Sequence, residues 1–440
     1  MIKPFGALLG LALTFALAGT ASAESKIETI VSPGGIKAWL VREPTVPLIS
    51  LDYSFTGGAN ADPAGKPGVA NMTAALLDEG AGDITSSSFQ ERMEDKAIQL
   101  GFSAGRDQFR GTLRTLTANL DEAVELLRLA LTAPRFDPEP VERIRGQLLA
   151  QLSGASTNPN QIANRRWWAA AFPGHPYGQP TNGTPESVPA ITVDDMKTYV
   201  RNVFARDTLI IGIVGDIDEQ AAGKLIDRVF GTLPAKATLA PVPDVAMQGL
   251  GERIVINLDV PQTVIDFGSP GLARHDPDFF TGYVVNHIYG GGSMTSWLYR
   301  EVREKRGLAY GVRTNLLWMD HAAILSGGTA TRSDRAADTL GLIDEVTKKM
   351  ADEGPTQEEL DKAKAYLKGS YALGFDTSAK IAGQLVQLQL DKLGIDYPQK
   401  RNALIDAVTL DDVKRMAKRL LDTKMLTVVV GRAQGLTKTN

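Results

Sequence analysis

Two heptapeptides far apart in the chain share one design: Ile191-Thr192-Val193-Asp194-Asp195-Met196-Lys197 and Val408-Thr409-Leu410-Asp411-Asp412-Val413-Lys414. Each has a Thr-x-Asp-Asp cap signature, then helical spacing, then a β-run that ends at glycine, Thr208 to Gly215 and Met425 to Gly431. Upstream, Val141-Glu142-Arg143-Ile144-Arg145 has a counterpart in Leu360-Asp361-Lys362-Ala363-Lys364, at an offset of 219 residues against 217 for the first pair. Two separate segments at nearly one offset mark a duplicated domain, so whatever one half of the chain folds into, the other half must fold into as well. The length of 440 residues fits this, because it exceeds what a single core usually organises.

Within the first half, period-two alternation predicts strands at Ile27–Val31, Ile36–Val41 and Leu48–Phe55, with turns at Pro33-Gly34-Gly35 and Pro44–Pro47. A Gly, Ala, Asp and Pro loop, Gly57–Gly68, precedes an apolar helix over Val69–Leu77. A second helix is expected over Ser86–Leu100, with Glu91 as the capping-box partner of Ser88. Strands follow at Phe102–Ala104 and Gln108–Thr115, then helices at Leu120–Ala133 and Glu139–Leu152. Hairpin-like strands mixed with long helices indicate an α+β fold: two homologous domains, each a mixed, mostly antiparallel sheet packed with helices. Pro234–Gly251, rich in Ala, Pro and Gly, reads as a linker that allows a hinge. The predicted organisation is residues 1–23 as a leader, 24–235 as the first domain, 236–251 as the linker and 252–435 as the second.

At the amino terminus Lys3 is followed by an apolar run, Phe5–Leu17, and by Ala21-Ser22-Ala23, the small-x-small pattern that a signal peptidase cleaves. The expectation is cleavage near Ala23 and export, to a bacterial periplasm; no later stretch is apolar enough to span a bilayer. The chain has no cysteine, so thiolate nucleophiles and Cys-type zinc sites are excluded. A net charge of −4 with interleaved signs gives no electrostatic footprint for nucleic acid.

The stretch with the most chemistry is Gly290-Gly291-Gly292-Ser293-Met294-Thr295-Ser296-Trp297-Leu298-Tyr299-Arg300-Glu301-Val302-Arg303-Glu304-Lys305-Arg306-Gly307-Leu308-Ala309-Tyr310-Gly311-Val312. Three glycines predict a flexible loop, with Ser293 or Thr295 as the cap of the helix behind it. Gly307, after Lys305 and Arg306, is placed as a C′ residue, and a short strand follows. Arg303 near the helix end and Tyr310 beyond the turn can therefore converge. The four histidines, His175, His275, His287 and His321, have no metal-binding spacing, and His287 reads as a packed core residue. Asp78-Glu79 read as a solvated helix end.

Together these features resemble the M16 peptidases, the pitrilysin, insulinase and mitochondrial processing peptidase family, over nearly all of the chain after residue 23. The most specific pieces are Gly290–Val312 and Asp62–Ala70, supported by His175-Pro176-Tyr177-Gly178, Gly183-Thr184 and Pro261-Gln262. The resemblance implies two α+β domains of the LuxS/metallohydrolase type, each with about six strands. It also implies an inverted zinc motif, His-x-x-Glu-His, in which two imidazoles hold the metal and the carboxylate takes a proton from its water. The matching positions here are Asn71, Ala74 and Ala75, Gln151 stands at the third ligand, and Ile144 stands where a supporting acid is expected. The whole constellation is vacated, so no metal is expected in this chain.

What remains is the second-domain part of the site. The family's arginine and tyrosine match Arg303 and Tyr310, which by resemblance bind substrate, with Gly290, Gly291 and Gly292 as a mobile contact. The implied function is a non-catalytic subunit of an exported M16 zinc peptidase. Its partner would be a His-x-x-Glu-His subunit carrying the zinc, or a second copy of itself, and its substrate a peptide or unfolded segment. The alternative is an M16-derived scaffold or peptide-binding protein with no part in proteolysis.

Overall fold

The computed structural model describes residues 26–432 and 435–436, so the expected leader lies outside the described residues. The first sheet has six strands: β1 (Ile27–Val31), β2 (Lys37–Arg42), β3 (Leu48–Thr56), β4 (Gln99–Ala104), β5 (Gln108–Leu116) and β6 (Ile210–Gly215), in the order β1-β2-β6-β3-β5-β4. The second has β7 (Arg253–Asn257), β8 (Gln262–Pro270), β9 (Ala309–Trp318), β10 (Ala323–Arg332) and β11 (Leu426–Gly431), in the order β7-β11-β8-β10-β9. Without β1 the two orders coincide. Each sheet has one parallel pair, β2 with β6 and β7 with β11, and is otherwise antiparallel. The fold is therefore α+β with mixed sheets, duplicated.

The repeated Thr-x-Asp-Asp segments owe their likeness to a local device. Thr192 and Thr409 each cap a helix, Val193–Val203 and Leu410–Leu421, in a closed capping box whose third helical residue is Asp195 or Asp412. Alternation along β3 sends Ile49, Leu51, Tyr53 and Phe55 into the first core, where the Phe55 and Phe204 rings stack at 4.9 Å. Along β8, Ile265 and Phe267 enter the second core in the same way.

The opposite faces of the two sheets are covered by helices that cross over. Helix Pro159–Ala171, from the first half, packs on β8 and β11, placing Ala163, Trp167 and Ala171 in one cluster with Val264, Ile324, Val428 and Val430. The Trp167 indole N–H donates to the Leu426 carbonyl at 3.3 Å. Helix Ser378–Leu390, from the second half, packs on β3 and β6 through Ala382 and Leu385 against Val41 and Val214. The caps of these helices, Asn158 and Thr377, stand 219 residues apart, the same offset as one of the sequence pairs. Each half thus closes the other's sheet.

Three expectations change. The 234–251 stretch carries no helix or strand, as a linker should, but it is strapped down: Val245 N–H donates to His321 O at 2.9 Å, Gln248 N–H to Ala171 O at 2.8 Å, and Met247 is buried. The helix expected over Ser86–Leu100 stops at Asp95, because Gln99 and Leu100 pair with Arg114 and Leu113 in the sheet. Its cap position is Thr85, and Glu91 closes no capping box. The helix expected over Val69–Leu77 ends at Ala74. Among the described residues no helix is long and apolar enough to cross a membrane.

Candidate functional site

Helix Val69–Ala74 begins where the Asp62 carboxylate accepts the N–H groups of Gly68 and Ala70, both at 2.7 Å. Burial pushes this carboxyl up to about 7, against the lowering effect of those two donors. The helix is well built but chemically empty. Ala74 is buried, Asn71 and Ala75 are half-buried, and none offers an imidazole or a carboxylate.

Gln151, on helix Pro138–Ala155, lines a 360 Å³ pocket together with Arg106, Arg165, Trp168 and Asn182. The pocket lies beside the start of the Val69–Ala74 helix, since a Cβ on Gly68 would meet Gly183, another lining residue, at 2.9 Å. Ile144 is packed in the first core. An amide, two methyls and a second amide do not fit a zinc ion, which needs imidazole, carboxylate or thiolate donors. Among the described residues no group of three or more His, Asp or Glu side chains is arranged to hold a metal.

The neighbouring acids are engaged structurally. Glu79 pairs with Arg143 at 2.5 Å and accepts the Ser86 hydroxyl at 2.5 Å. His287 is buried and stacked on Tyr366 at 4.9 Å, and burial lowers its pKa. His175 accepts the Tyr177 N–H on Nδ1 and has its other ring nitrogen 3.0 Å from Pro243 O, so this part of the His-Pro-Tyr-Gly run works within the strap between the halves.

The Arg303 region is arranged differently from the expectation at its start. Gly290 and Gly291 close a π-helical turn, His287–Gly291, rather than a loose loop. Gly290 is buried, and a Cβ there would meet Thr314 Oγ1 at 2.5 Å and Leu298 Cδ1 at 3.0 Å. Glycine is needed at that position for close packing. The helix cap is Ser296, not Ser293 or Thr295, and its hydroxyl oxygen accepts the Tyr299 N–H. One α-helical turn, Trp297–Tyr299, then widens into a π-helical stretch, Arg300–Lys305. Gly307 turns the chain with φ of +59°, as its position after two basic residues predicts.

That turn brings Arg303 and Tyr310 together. The Arg303 guanidinium donates from Nη1 to the Tyr310 carbonyl at 2.6 Å, and its Cζ lies 4.3 Å from the centre of the Tyr310 ring. Tyr299, which the sequence reading passed over, adds a second ring at 5.2 Å; its place four residues before Arg303 is the signal that could have found it. The Tyr310 side chain stands out into solvent, 85% exposed.

Charge singles out Arg303 among its neighbours. Lys305 and Arg306 share the carboxylate of Glu301, at 2.7 and 2.8 Å, and Arg300 pairs with Glu359 at 3.3 Å, while Glu359 also accepts the Trp297 indole N–H. Among the described residues no carboxylate pairs with Arg303. A guanidinium held by rings and one carbonyl, with donors left over, is set up to take a carbonyl or carboxylate from another molecule.

Comparison with known proteins agrees with this architecture. The family model for insulinase, peptidase family M16, matches residues 40–185, and that for the peptidase M16 inactive domain matches residues 190–367. A Helicobacter pylori protein described as a non-peptidase homolog is 26% identical over 389 residues, covering 88% of this chain and 89% of that one. A probable mitochondrial-processing peptidase subunit beta of Schizosaccharomyces pombe is 24% identical over 430 residues, covering 93% and 92%. The crystal structure of a peptidase M16 inactive domain from Pseudomonas fluorescens superposes with a TM-score of 0.87 at 28% identity, covering 94% of this chain and all of that one. With both family models matched in succession along a duplicated fold, the chain belongs to the M16 peptidase family.

Proposed function

We propose that this chain is a non-catalytic M16 subunit that grips peptide for a zinc-bearing partner. The observation that carries the reading is the pairing of an un-neutralised Arg303 with an exposed Tyr310, in a chain whose zinc positions are Asn71, Ala74, Ala75 and Gln151. The partner is a His-x-x-Glu-His subunit, which supplies the metal, the activated water and the general base. Arg303 offers its remaining donors to a peptide carbonyl near the scissile bond. The Tyr310 hydroxyl donates to the oxygen that gains charge as the carbonyl becomes tetrahedral. Gly291 and Gly292 lie on the adjoining surface and contact the substrate, while the buried Gly290 holds the segment in place. Residues 1–23 direct the chain out of the cytoplasm, to a periplasm in a bacterium.

The test uses the purified chain, the zinc subunit and their mixture on an unfolded polypeptide. The expected result is cleavage only in the mixture, with kcat/KM reduced by about a hundredfold for Arg303→Ala and for Tyr310→Phe, the loss typical of a missing oxyanion donor. The relative described as a non-peptidase homolog favours a second reading, a scaffold with no part in proteolysis. Cleavage by the zinc subunit that is indifferent to this chain and to both substitutions would establish that second reading.

A further inference from the structure

The duplication provides an internal comparison, and the two halves differ in the charge beside one buried acid. Asp52 on β3 and Asp266 on β8 are equivalent: each is the fifth residue of its strand, and each lies on the face covered by the helix crossing from the other half. In the first half the acid feels the charge of a cation but makes no ion pair or hydrogen bond among the described residues; its Oδ1 is buried without a partner, and burial pushes the carboxyl up to about 6. Arg110, paired with Ser54 in the β3–β5 register, sends its guanidinium across to Gln387 on the covering helix, and its charge acts on Asp52. In the second half the register places Ser326 opposite Gly268, so Ser326 stands where Arg110 does. Counting from the helix caps, Trp168 stands where Gln387 does. No cation replaces Arg110. Among the described residues Asp266 has neither an ion pair nor a hydrogen-bonded side-chain partner.

In place of that arginine the second half has a 240 Å³ pocket, bounded by Asp266, Ser326, Asn315, Asn164 and the rings of Trp167 and Trp168. We propose that this pocket is a binding site for a guanidinium or ammonium group carried by a ligand, with Asp266 as its counter-ion. A mostly buried carboxylate without a partner is unfavourable, and burial alone pushes this one up to about 6. An incoming cation supplies the missing charge. Asn164 and Asn315 supply carboxamide oxygens for its remaining N–H groups. The volume suits one long basic side chain or a chain-terminal amine, not a large ligand. Arg313 stands on the same row as Asp266, two strands away across Gly328, and makes no ion pair with it among the described residues, while Arg106 stacks on Trp168 at 3.7 Å and is held by Tyr177 O and Gln179 O. The site involves neither Arg303 nor Tyr310, and it stands or falls separately from the peptidase reading.

The experiment titrates the purified chain with N-acetyl-arginine methylamide, N-acetyl-lysine methylamide, the uncharged citrulline analogue and alanine methylamide, which has a free amine. Calorimetry and tryptophan emission read the binding. The proposal expects saturable binding of at least one cationic probe, at least tenfold tighter than citrulline, and at least a tenfold loss in Asp266→Asn. Tighter binding of arginine or lysine identifies the ligand group as a side chain, and tighter binding of alanine methylamide identifies it as a chain terminus. Ser326→Arg, which restores the cation found in the first half, should abolish binding and raise Tm. If that variant does not fold, Asp266→Asn decides alone. Equal affinity for citrulline, unchanged affinity in Asp266→Asn, or no saturable binding by any cationic probe overturns the proposal.

Discussion

Replacing Asp266 by asparagine should stabilise the ligand-free protein above pH 6 and leave it unchanged below pH 4. The carboxyl is pushed up to about 6 by burial, from an ordinary value of about 4 in an unfolded chain. The native state therefore binds its proton more tightly than the unfolded state, and stability is greatest while the group is neutral. Stability falls as pH rises from about 4 to about 6, and a constant deficit remains beyond that. At about 1.4 kcal/mol per tenfold change in proton affinity, the deficit is at most about 3 kcal/mol. The side chain borders an open pocket, so solvent screening reduces this to ~1–2 kcal/mol. Urea denaturation of wild type and Asp266→Asn at pH 4, 5, 6, 7 and 8, followed by circular dichroism, reads the gap directly. The two curves should coincide at pH 4 and separate in favour of the variant by pH 7. A gap of equal size at pH 4 and pH 8, or a variant less stable at pH 8, would refute the assignment of that penalty to a buried, unpaired carboxylate.

Gly290→Ala forces a methyl to within 2.5 Å of Thr314 Oγ1, and overpacking of this kind costs ~1–3 kcal/mol, so Tm falls and activity of the reconstituted mixture falls with it as the Arg303 segment shifts. Trp167→Ala removes the ring that joins the crossing helix to the second sheet and should destabilise by ~3–5 kcal/mol in urea denaturation. Thr192→Ala and Thr409→Ala each open one capping box and should cost ~1 kcal/mol apiece, near-equal losses because the two boxes are copies.

Much of the architecture was legible because its signals are local. The Thr-x-Asp-Asp boxes, the alternation along β3 and the turn at Gly307 each depend on residues a few positions apart, so the duplication and the meeting of Arg303 with Tyr310 are legible in the sequence itself. The crossing helices could not. Ala163, Trp167 and Ala171 lie at i, i+4 and i+8 and announce a buried face, but nothing in that spacing says which of two sheets receives it. The Gly290–Gly292 run was open to two meanings, since glycine serves a mobile loop and a tight contact equally well, and Thr314, far along the chain, settles Gly290 for the contact. The pairing of Lys305 with Glu301 follows from i, i+4 spacing, whereas Glu359 reaching Arg300 and Trp297 does not. The missing counter-charge at Asp266 depends on strand register, Ser326 opposite Gly268 where Arg110 is opposite Ser54, which no local spacing encodes.

The central claim, a peptide-gripping M16 chain that depends on another subunit for its metal, is tested most directly by native mass spectrometry of the complex isolated from its own cell, with zinc counted in the same sample. The account predicts one copy of this chain bound to one chain containing His-x-x-Glu-His, with a single zinc that follows the second chain when the two are separated. Stoichiometric zinc retained by this chain after separation, together with peptide cleavage by it alone, would contradict the account.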